Sequence, residues 1–226
     1  MRIQKAIWVS LAISCLLAIT TIPAHADDLT SNSQPYFNSG SQTDQPVTGN
    51  EERNEPKKPL TIPTTSPVPL EGYRWKSRRI HIYMETDNPQ IRAGFRDAVK
   101  KWNHPGIIHF VWTKHRSKAQ VIASDGDLTD TANDQTVGYQ TSQLGTTETS
   151  YDPQSHAMLR ATSILDSGTL AGTSLHYRSE VAQHELGHAL GLGHAQEYQH
   201  SVMVPRNVRT GITKQDIRSV RLLYGR

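Results

Sequence analysis

The sequence predicts an α+β fold, built from a mixed twisted β-sheet with two long helices and a further helix at the C-terminal end. Three observations predict it: strand patterns open the folded part of the chain, one amphipathic helix is inserted among them, and the other helical patterns come late. This order of strands first and helices late is typical of an α+β domain.

Each element follows from a local pattern. Ile80, Ile82 and Met84 alternate with polar residues, which predicts a strand over residues 79–84. Asn88 followed by Pro89 is typical of a helix start, because asparagine caps the helix and proline fits its first turn. The apolar residues that share one face of this helix are Ile91, Phe95, Ala98, Val99 and Trp102. The further strands are predicted over residues 107–112, 119–123, 136–140 and 157–165, and the second long helix over residues 177–190.

The C-terminal helix is predicted to begin after Thr213, whose hydroxyl can cap it. Ile212 and Ile217 stand at the two positions of a hydrophobic staple, which fixes the direction in which the chain enters a helix. Val220 and Leu223 continue the apolar face of this helix.

Composition limits the function classes. Of the 226 residues, 35% are hydrophobic and 20% charged, with a formal net charge of +3. No basic block with interleaved aromatic residues occurs, so nucleic-acid binding is not expected. Cys15 is the only cysteine. An intrachain disulfide and a metal site built from several thiolates are therefore excluded. We expect a monomer.

The first 26 residues have the layout of a secretory signal peptide. Arg2 and Lys5 precede an apolar run over residues 6–22, and small residues at Ala24 and Ala26 suit a cleavage site. The alternative is an uncleaved membrane anchor, because the run approaches the length that spans a bilayer. Cleavage after Ala26 predicts a secreted, extracellular protein without a membrane span, with cell-surface association as a further option.

Residues 27–70 hold seven of the twelve prolines and few large apolar residues. Such a stretch cannot bury enough surface to offset its ordering entropy, which predicts a disordered Pro/Ser/Thr-rich linker. A short pro-segment that masks the site is the alternative. The folded domain is predicted to span residues 71–226.

Residues 184–194 read HELGHALGLGH, and this pattern indicates a metal site. His184 and His188 are four residues apart, so on a helix they project from one face and can bind one metal ion. Gly191 gives the backbone freedom for a sharp turn, after which His194 can return as the third ligand. Three neutral imidazoles around a tetrahedral zinc leave one position for water, the arrangement of catalytic rather than structural sites.

Glu185 lies beside the first ligand, where its carboxylate can act as the general base that takes a proton from the attacking water. The helix over residues 177–190 is therefore the predicted zinc-binding active-site helix. One alternative is a helix with surface histidines. The other is a metal site without catalysis, which needs no carboxylate at Glu185.

These residues resemble those of the metzincin zinc endopeptidases, and within them the matrixins, in particular short secreted bacterial enzymes. Residues 201–205 (SVMVP) are similar to the Met-turn, in which Met203 would lie beneath the zinc. Residues 212–225 resemble the closing helix of matrixins. The resemblance covers residues 73–225 and implies a metzincin-type zincin fold, one catalytic Zn²⁺, and a peptide or protein substrate bound in extended form.

The resemblance implies three weaker features. Matrixins hold structural Ca²⁺ in the loop that corresponds to residues 124–135, where hard oxygen ligands suit that ion. The candidate calcium ligands, for which solvated turn residues are the alternative interpretation, are Asp125, Asp127, Asp130 and Asp134. The strand over residues 157–165 is expected to be the edge strand that pairs with substrate. Residues 204–211 are expected to wall the pocket for the residue after the scissile bond.

The leading hypothesis is therefore a secreted zinc metalloendopeptidase. A rival from another class is a surface-associated binding or adhesive module that carries an idle zinc site. A third hypothesis, a zinc hydrolase of cell-wall peptides, shares the chemistry and differs in substrate. The intact Glu185 favours an enzyme over the binding module.

Overall fold

A computed structural model describes residues 58–128, 144–205 and 210–225 of the chain. Within these ranges the protein forms five strands and three α-helices, which confirms the predicted α+β class. The predicted signal peptide (residues 1–26), most of the predicted linker and the predicted strand over residues 136–140 lie outside the described residues. No helix in the described ranges is long and apolar enough to cross a membrane.

The sheet is mixed, as predicted, with the strand order β2-β1-β3-β5-β4. The strands are β1 (Arg79–Met84), β2 (His109–Trp112), β3 (Val121–Gly126), β4 (Gly145–Asp152) and β5 (Ala157–Asp166). The pairs β1–β2, β1–β3 and β3–β5 are parallel, whereas β4 runs antiparallel to β5. Strand β4 was not predicted, because its sequence GTTETSYD contains β-branched threonines but no alternation of apolar and polar residues.

The edge strand of the sheet differs from the predicted one. Strand β5, predicted to pair with substrate, lies between β3 and β4 and forms ladders with both. That prediction is wrong, because the main-chain groups of an interior strand are already used on both sides. Strand β4 has a described partner on one side only, so β4 is the strand beside which a further chain could lie.

The first two helices are α1 (Pro89–Asn103) and α2 (Leu175–His188), and they pack against each other. Asn88 caps α1 as predicted, since its Oδ1 accepts a hydrogen bond from the main-chain N–H of Gln90 at 2.9 Å. The predicted apolar face of α1 is buried in full. Helix α2 also contacts β4 and β5, so the histidines of the HELGHALGLGH motif on this helix lie beside the antiparallel edge of the sheet.

The third helix, α3 (Lys214–Tyr224), begins after Thr213 as predicted. Its cap is a reciprocal pair of hydrogen bonds. The Thr213 hydroxyl accepts from the main chain of the first turn, and the Asp216 carboxylate accepts from Thr213 N at 2.7 Å. Ile212 and Ile217, the predicted staple residues, both pack against the core.

Two aromatic side chains close the C-terminal end of α2. The indole N–H of Trp75 donates to the carbonyl of Ala189 at 2.7 Å, and the hydroxyl of Tyr224 donates to the carbonyl of Leu190 at 2.9 Å. The last carbonyls of a helix have no partner within the helix and need one from elsewhere. The end of α2 is therefore tied to the segment before β1 and to the end of α3.

The folded unit begins before Glu71, so the predicted domain boundary is wrong at this point. Val68 is completely buried, and its main-chain N–H donates to Ser219 Oγ on α3 at 2.9 Å. Nearer the start of the segment, Leu60 N donates to the carbonyl of Ser155 at 2.9 Å. Isolated apolar residues among prolines are enough to hold residues 58–70 on the domain.

Val68→Ala tests whether this segment contributes to the fold. We expect a loss of about 1–3 kcal/mol in the free energy of unfolding, because the substitution removes two methyl groups from a filled core. Denaturant unfolding measures the loss. Leu159→Ala is the control, since Leu159 is 60% exposed and its truncation should change stability by no more than about 0.5 kcal/mol. Equal stability of Val68→Ala and the parent would restore the linker interpretation.

Candidate metal centre

Helix α2 brings the first two histidines of the motif together in the interior. His184 is completely buried and His188 nearly so, and their Nε2 atoms lie 3.2 Å apart. Zinc binds imidazole nitrogen at about 2.0–2.1 Å, so two ligands of a tetrahedral ion lie roughly 3.3 Å apart. The spacing of the two nitrogens therefore fits one zinc ion.

Main-chain carbonyls determine which nitrogen of each ring faces the centre. His184 Nδ1 lies 2.7 Å from the carbonyl oxygen of Val202, and His188 Nδ1 lies 2.9 Å from that of Leu192. A carbonyl oxygen only accepts, so each Nδ1 must carry the proton, and Nε2 of each neutral ring then carries the lone pair. The two Nε2 lone pairs then face each other across 3.2 Å and repel unless a cation lies between them. A metal ion requires such converging lone pairs from its ligands.

His194 reaches the same point through a turn. Gly191 has φ +92, a conformation that favours glycine, and the main-chain N–H of Leu192 returns to the carbonyl of Gly187 at 3.0 Å. The Nε2 atom of His194 is buried without a hydrogen-bond partner. The candidate ligand atoms of His184, His188 and His194 all lie within 4.8 Å of one another, and they form the one such group among the described residues.

Burial keeps the imidazoles of His184 and His194 neutral, which is the form that binds metals. Burial, and then the nearby His188, hold the pKa of His184 well below its usual value. The same two causes lower the pKa of His194 to about 4. A proton therefore does not compete with a metal ion for these two rings near neutral pH.

Met203 packs against the helix that carries the first two histidines, in a turn closed by the hydrogen bond from Val204 N to the carbonyl of Ser201. Its side chain is completely buried against Gly187, where a methyl group would overlap the Met203 sulfur. The carbonyl of Met203 also accepts a hydrogen bond from Ala195 N at 3.0 Å. The turn predicted from residues 201–205 thus contacts both the zinc-binding helix and the residue after the third histidine.

Asp216 connects this turn to α3 and was not predicted as a site residue. Its buried carboxylate accepts hydrogen bonds from Ser201 Oγ and from the main-chain N–H groups of Val202 (3.1 Å) and Thr213 (2.7 Å). Val202 is the residue whose carbonyl orients His184. Asp216, the third residue of α3, therefore supports a ligand of the candidate metal centre through one intervening residue, Val202.

Glu185 is buried beside the histidines, and β4 holds its carboxylate. Thr147 Oγ1 donates to Glu185 Oε2 at 2.8 Å. At Gly145 a Cβ atom would stand 2.8 Å from Cγ and Oε1 of Glu185, so only glycine leaves the carboxylate its place. Burial raises the pKa of Glu185 to about 7, against the opposite effects of His188 and the Thr147 hydrogen bond. The sequence held no signal for Thr147 or Gly145, because their role depends on the unpredicted β4.

The candidate calcium ligands are only partly described. The predicted loop over residues 124–135 begins too early, because Asp125 belongs to β3 and pairs with Leu165. Asp127 follows that strand, while Asp130 and Asp134 lie outside the described residues. Calcium binding therefore stays a prediction.

This α+β domain has two buried imidazoles and a buried carboxylate on one helix, and a third, half-buried imidazole after it. That is the construction of a zinc hydrolase. The model of the matrixin family matches residues 74–225, and the chain belongs to that family. The protein is thus a zinc metalloendopeptidase. The match leaves residues 58–73 outside it, although the structure places them on the domain.

Solved structures resemble this chain at low identity. One, "Structure of Myroilysin", has a TM-score of 0.47 and 12% identity, and the match covers 75% of this chain and 91% of that chain. Another, "Crystal structure of myroilysin", has a TM-score of 0.43 and 14% identity over 75% of this chain and 99% of that chain. No curated protein matches the sequence.

Gly191→Ala should destabilise the domain by more than about 2 kcal/mol. Alanine disfavours a positive φ, and its methyl group would overlap the main-chain carbonyl oxygen of Tyr73. Gly193→Ala is the matched control, because its Cβ would meet Pro69 at 3.5 Å, an ordinary contact. Thermal unfolding of the metal-free proteins measures both. Similar melting temperatures for the two variants would contradict the assignment of Gly191 as the residue that the turn requires.

Proposed function

We propose that the protein is a secreted endopeptidase whose zinc is held by the Nε2 atoms of His184, His188 and His194, with Glu185 as general base. One observation carries the proposal: the ligand nitrogens of these three histidines all lie within 4.8 Å of one another. The ligand chemistry suits zinc, since three neutral imidazoles leave a fourth position for water.

Zinc, when bound, supplies Lewis-acid activation of the water and of the scissile carbonyl. The protein supplies the proton transfers. Glu185 takes a proton from the attacking water and delivers it to the leaving amine. A pKa near neutrality suits both transfers, and the Thr147 hydroxyl holds one oxygen of the carboxylate in place.

The substrate is proposed to lie in extended form beside β4. This strand has one described neighbour in the sheet, and its residues Gly145 and Thr147 contact Glu185. A peptide that adds a strand to this edge would receive main-chain hydrogen bonds from β4. The same alignment would carry its scissile bond past the general base.

Secretion is proposed from the signal-peptide pattern of residues 1–26. Export in the natural host should yield a chain that begins at Asp27, which N-terminal sequencing of the extracellular protein would show. An intact N-terminus in the membrane fraction would instead support the anchor.

Glu185→Ala should keep one zinc per chain and lose about 10²–10⁴-fold in kcat on a quenched fluorescent peptide, because the water loses its base. His188→Ala should lose most of its zinc, because two imidazoles remain. Metal analysis and peptide cleavage of the purified proteins separate the two effects. Full zinc in His188→Ala would contradict the ligand assignment, and activity of Glu185→Ala within a few-fold of the parent would contradict the base.

Gly145→Ala tests the placement of the Glu185 carboxylate without changing any ligand. The added methyl group would displace Oε1 and Cγ of Glu185, so kcat should fall about 10- to 100-fold while zinc content is retained. Gly168→Ala is the control, since its Cβ would stand 3.5 Å from Asp166 Oδ1. Equal kcat values for the two variants would show that β4 does not position the base.

A further inference from the structure

The zinc-binding turn does not stand alone, because residues 67–71, called here the strap, run beside it. Leu70 and Leu192 form an antiparallel bridge. Glu71 N donates to the carbonyl of Gly191 at 2.9 Å, and Gly193 N donates to the carbonyl of Pro69 at 2.8 Å. The strap therefore binds the turn on both sides of Leu192.

The strap is itself anchored to the domain at its other end. The carbonyl of Pro67 accepts a hydrogen bond from Gln199 Nε2 at 2.8 Å, and buried Val68 donates to Ser219 Oγ on α3. Because the strap is fixed to the domain at both ends, it restricts the position of the turn to which it is hydrogen-bonded. A loosely attached segment could not do this. Leu192 also supplies the carbonyl that orients His188. The same residue is therefore paired with the strap and hydrogen-bonded to the proposed metal ligand His188.

The strap brings a carboxylate to the metal centre. Glu71 Oε1 lies 3.5 Å from His188 Nδ1, the nitrogen that faces away from the site. The side chain of Glu71 is 24% exposed, so water screens its charge only in part. The Glu71 charge also acts on His194, where it opposes the larger effects of burial and His188 on the pKa of that ring.

A carboxylate behind a ligand imidazole strengthens metal binding in two ways. It increases the basicity of the ring nitrogen that faces the metal, and it adds negative charge near a divalent cation. Among the described residues, the Glu71 carboxylate faces the His188 ring, and Glu185 interacts electrostatically with the same ring. Removing such an outer partner typically costs 10- to 100-fold in affinity.

We propose that Glu71 is a positioning residue of the metal centre, which orients and polarises His188 while the strap holds the turn that carries His194. This inference rests on the proposed zinc ligands. It assigns part of the metal affinity to a segment outside the residues that match the family model. Any cleavage of the chain between the strap and β1 would then weaken metal binding.

Glu71→Gln in the otherwise intact chain tests the charge, because glutamine keeps the size of the side chain. We expect the Kd for zinc, from competition with a chelator, to rise about 10-fold, with the melting temperature of the metal-free protein unchanged. Glu71→Asp, which keeps the charge, should lie closer to the parent. The visible spectrum of the Co²⁺-loaded protein should change in Glu71→Gln if the orientation of His188 changes.

Glu85→Gln is the matched control, since Glu85 pairs with Arg116 on the surface, and its zinc Kd should equal that of the parent. An unchanged Kd in Glu71→Gln would overturn the positioning role and leave the histidine site intact. If metal-free Glu71→Gln also melted at a lower temperature, in proportion to its weaker zinc binding, Glu71 would be a structural residue. That result would overturn its positioning role as well. Absence of zinc binding by the parent would instead overturn the proposed function.

Discussion

Two hydrogen bonds from imidazole Nδ1 atoms to main-chain carbonyls set the chemistry of this domain. They fix the tautomers of His184 and His188 and turn both Nε2 lone pairs toward one point, 3.2 Å apart. A ring that rotated away from its carbonyl would lose both the correct tautomer and the correct direction. The remainder of the structure can be understood as the support for those two carbonyls, which belong to Val202 and Leu192.

The supports come from opposite ends of the chain. Val202 lies in the turn that Asp216 holds from α3, and Leu192 lies in the turn that residues 69–71 hold from the N-terminal side. Trp75 and Tyr224 satisfy the carbonyls of Ala189 and Leu190, the two residues that follow α2. Buried polar networks of this kind are costly when one member is removed, because the others are left unsatisfied in a low dielectric.

The same low dielectric acts on Glu185, the proposed general base. A carboxylate in the interior is destabilised in its charged form, which is why its pKa rises to about 7. The antiparallel edge strand β4 limits this cost through the Thr147 hydrogen bond, and the glycine at 145 leaves the carboxylate its space. One strand therefore holds the Glu185 carboxylate and has, among the described residues, a neighbour in the sheet on one side only.

The sequence by itself determined the features that depend on local geometry. Helical periodicity places His184 and His188 on one face, the capping patterns at Asn88 and Thr213 mark helix starts, and a glycine at 191 permits the turn. These features depend only on residues that are close to one another along the chain, and the sequence shows those residues directly.

Only the tertiary structure decided which segments support the site. Strand β4 has no apolar alternation, and Val68 and Leu70 are isolated among prolines, so neither carries a local signal. Their roles arise because an edge next to α2 accepts an antiparallel strand, and because the turn after His188 has main-chain groups to pair. Such pairings depend on residues far apart in the chain. These pairings lower the free energy only when the whole domain has assembled. A pattern of residues adjacent in the chain therefore cannot predict them.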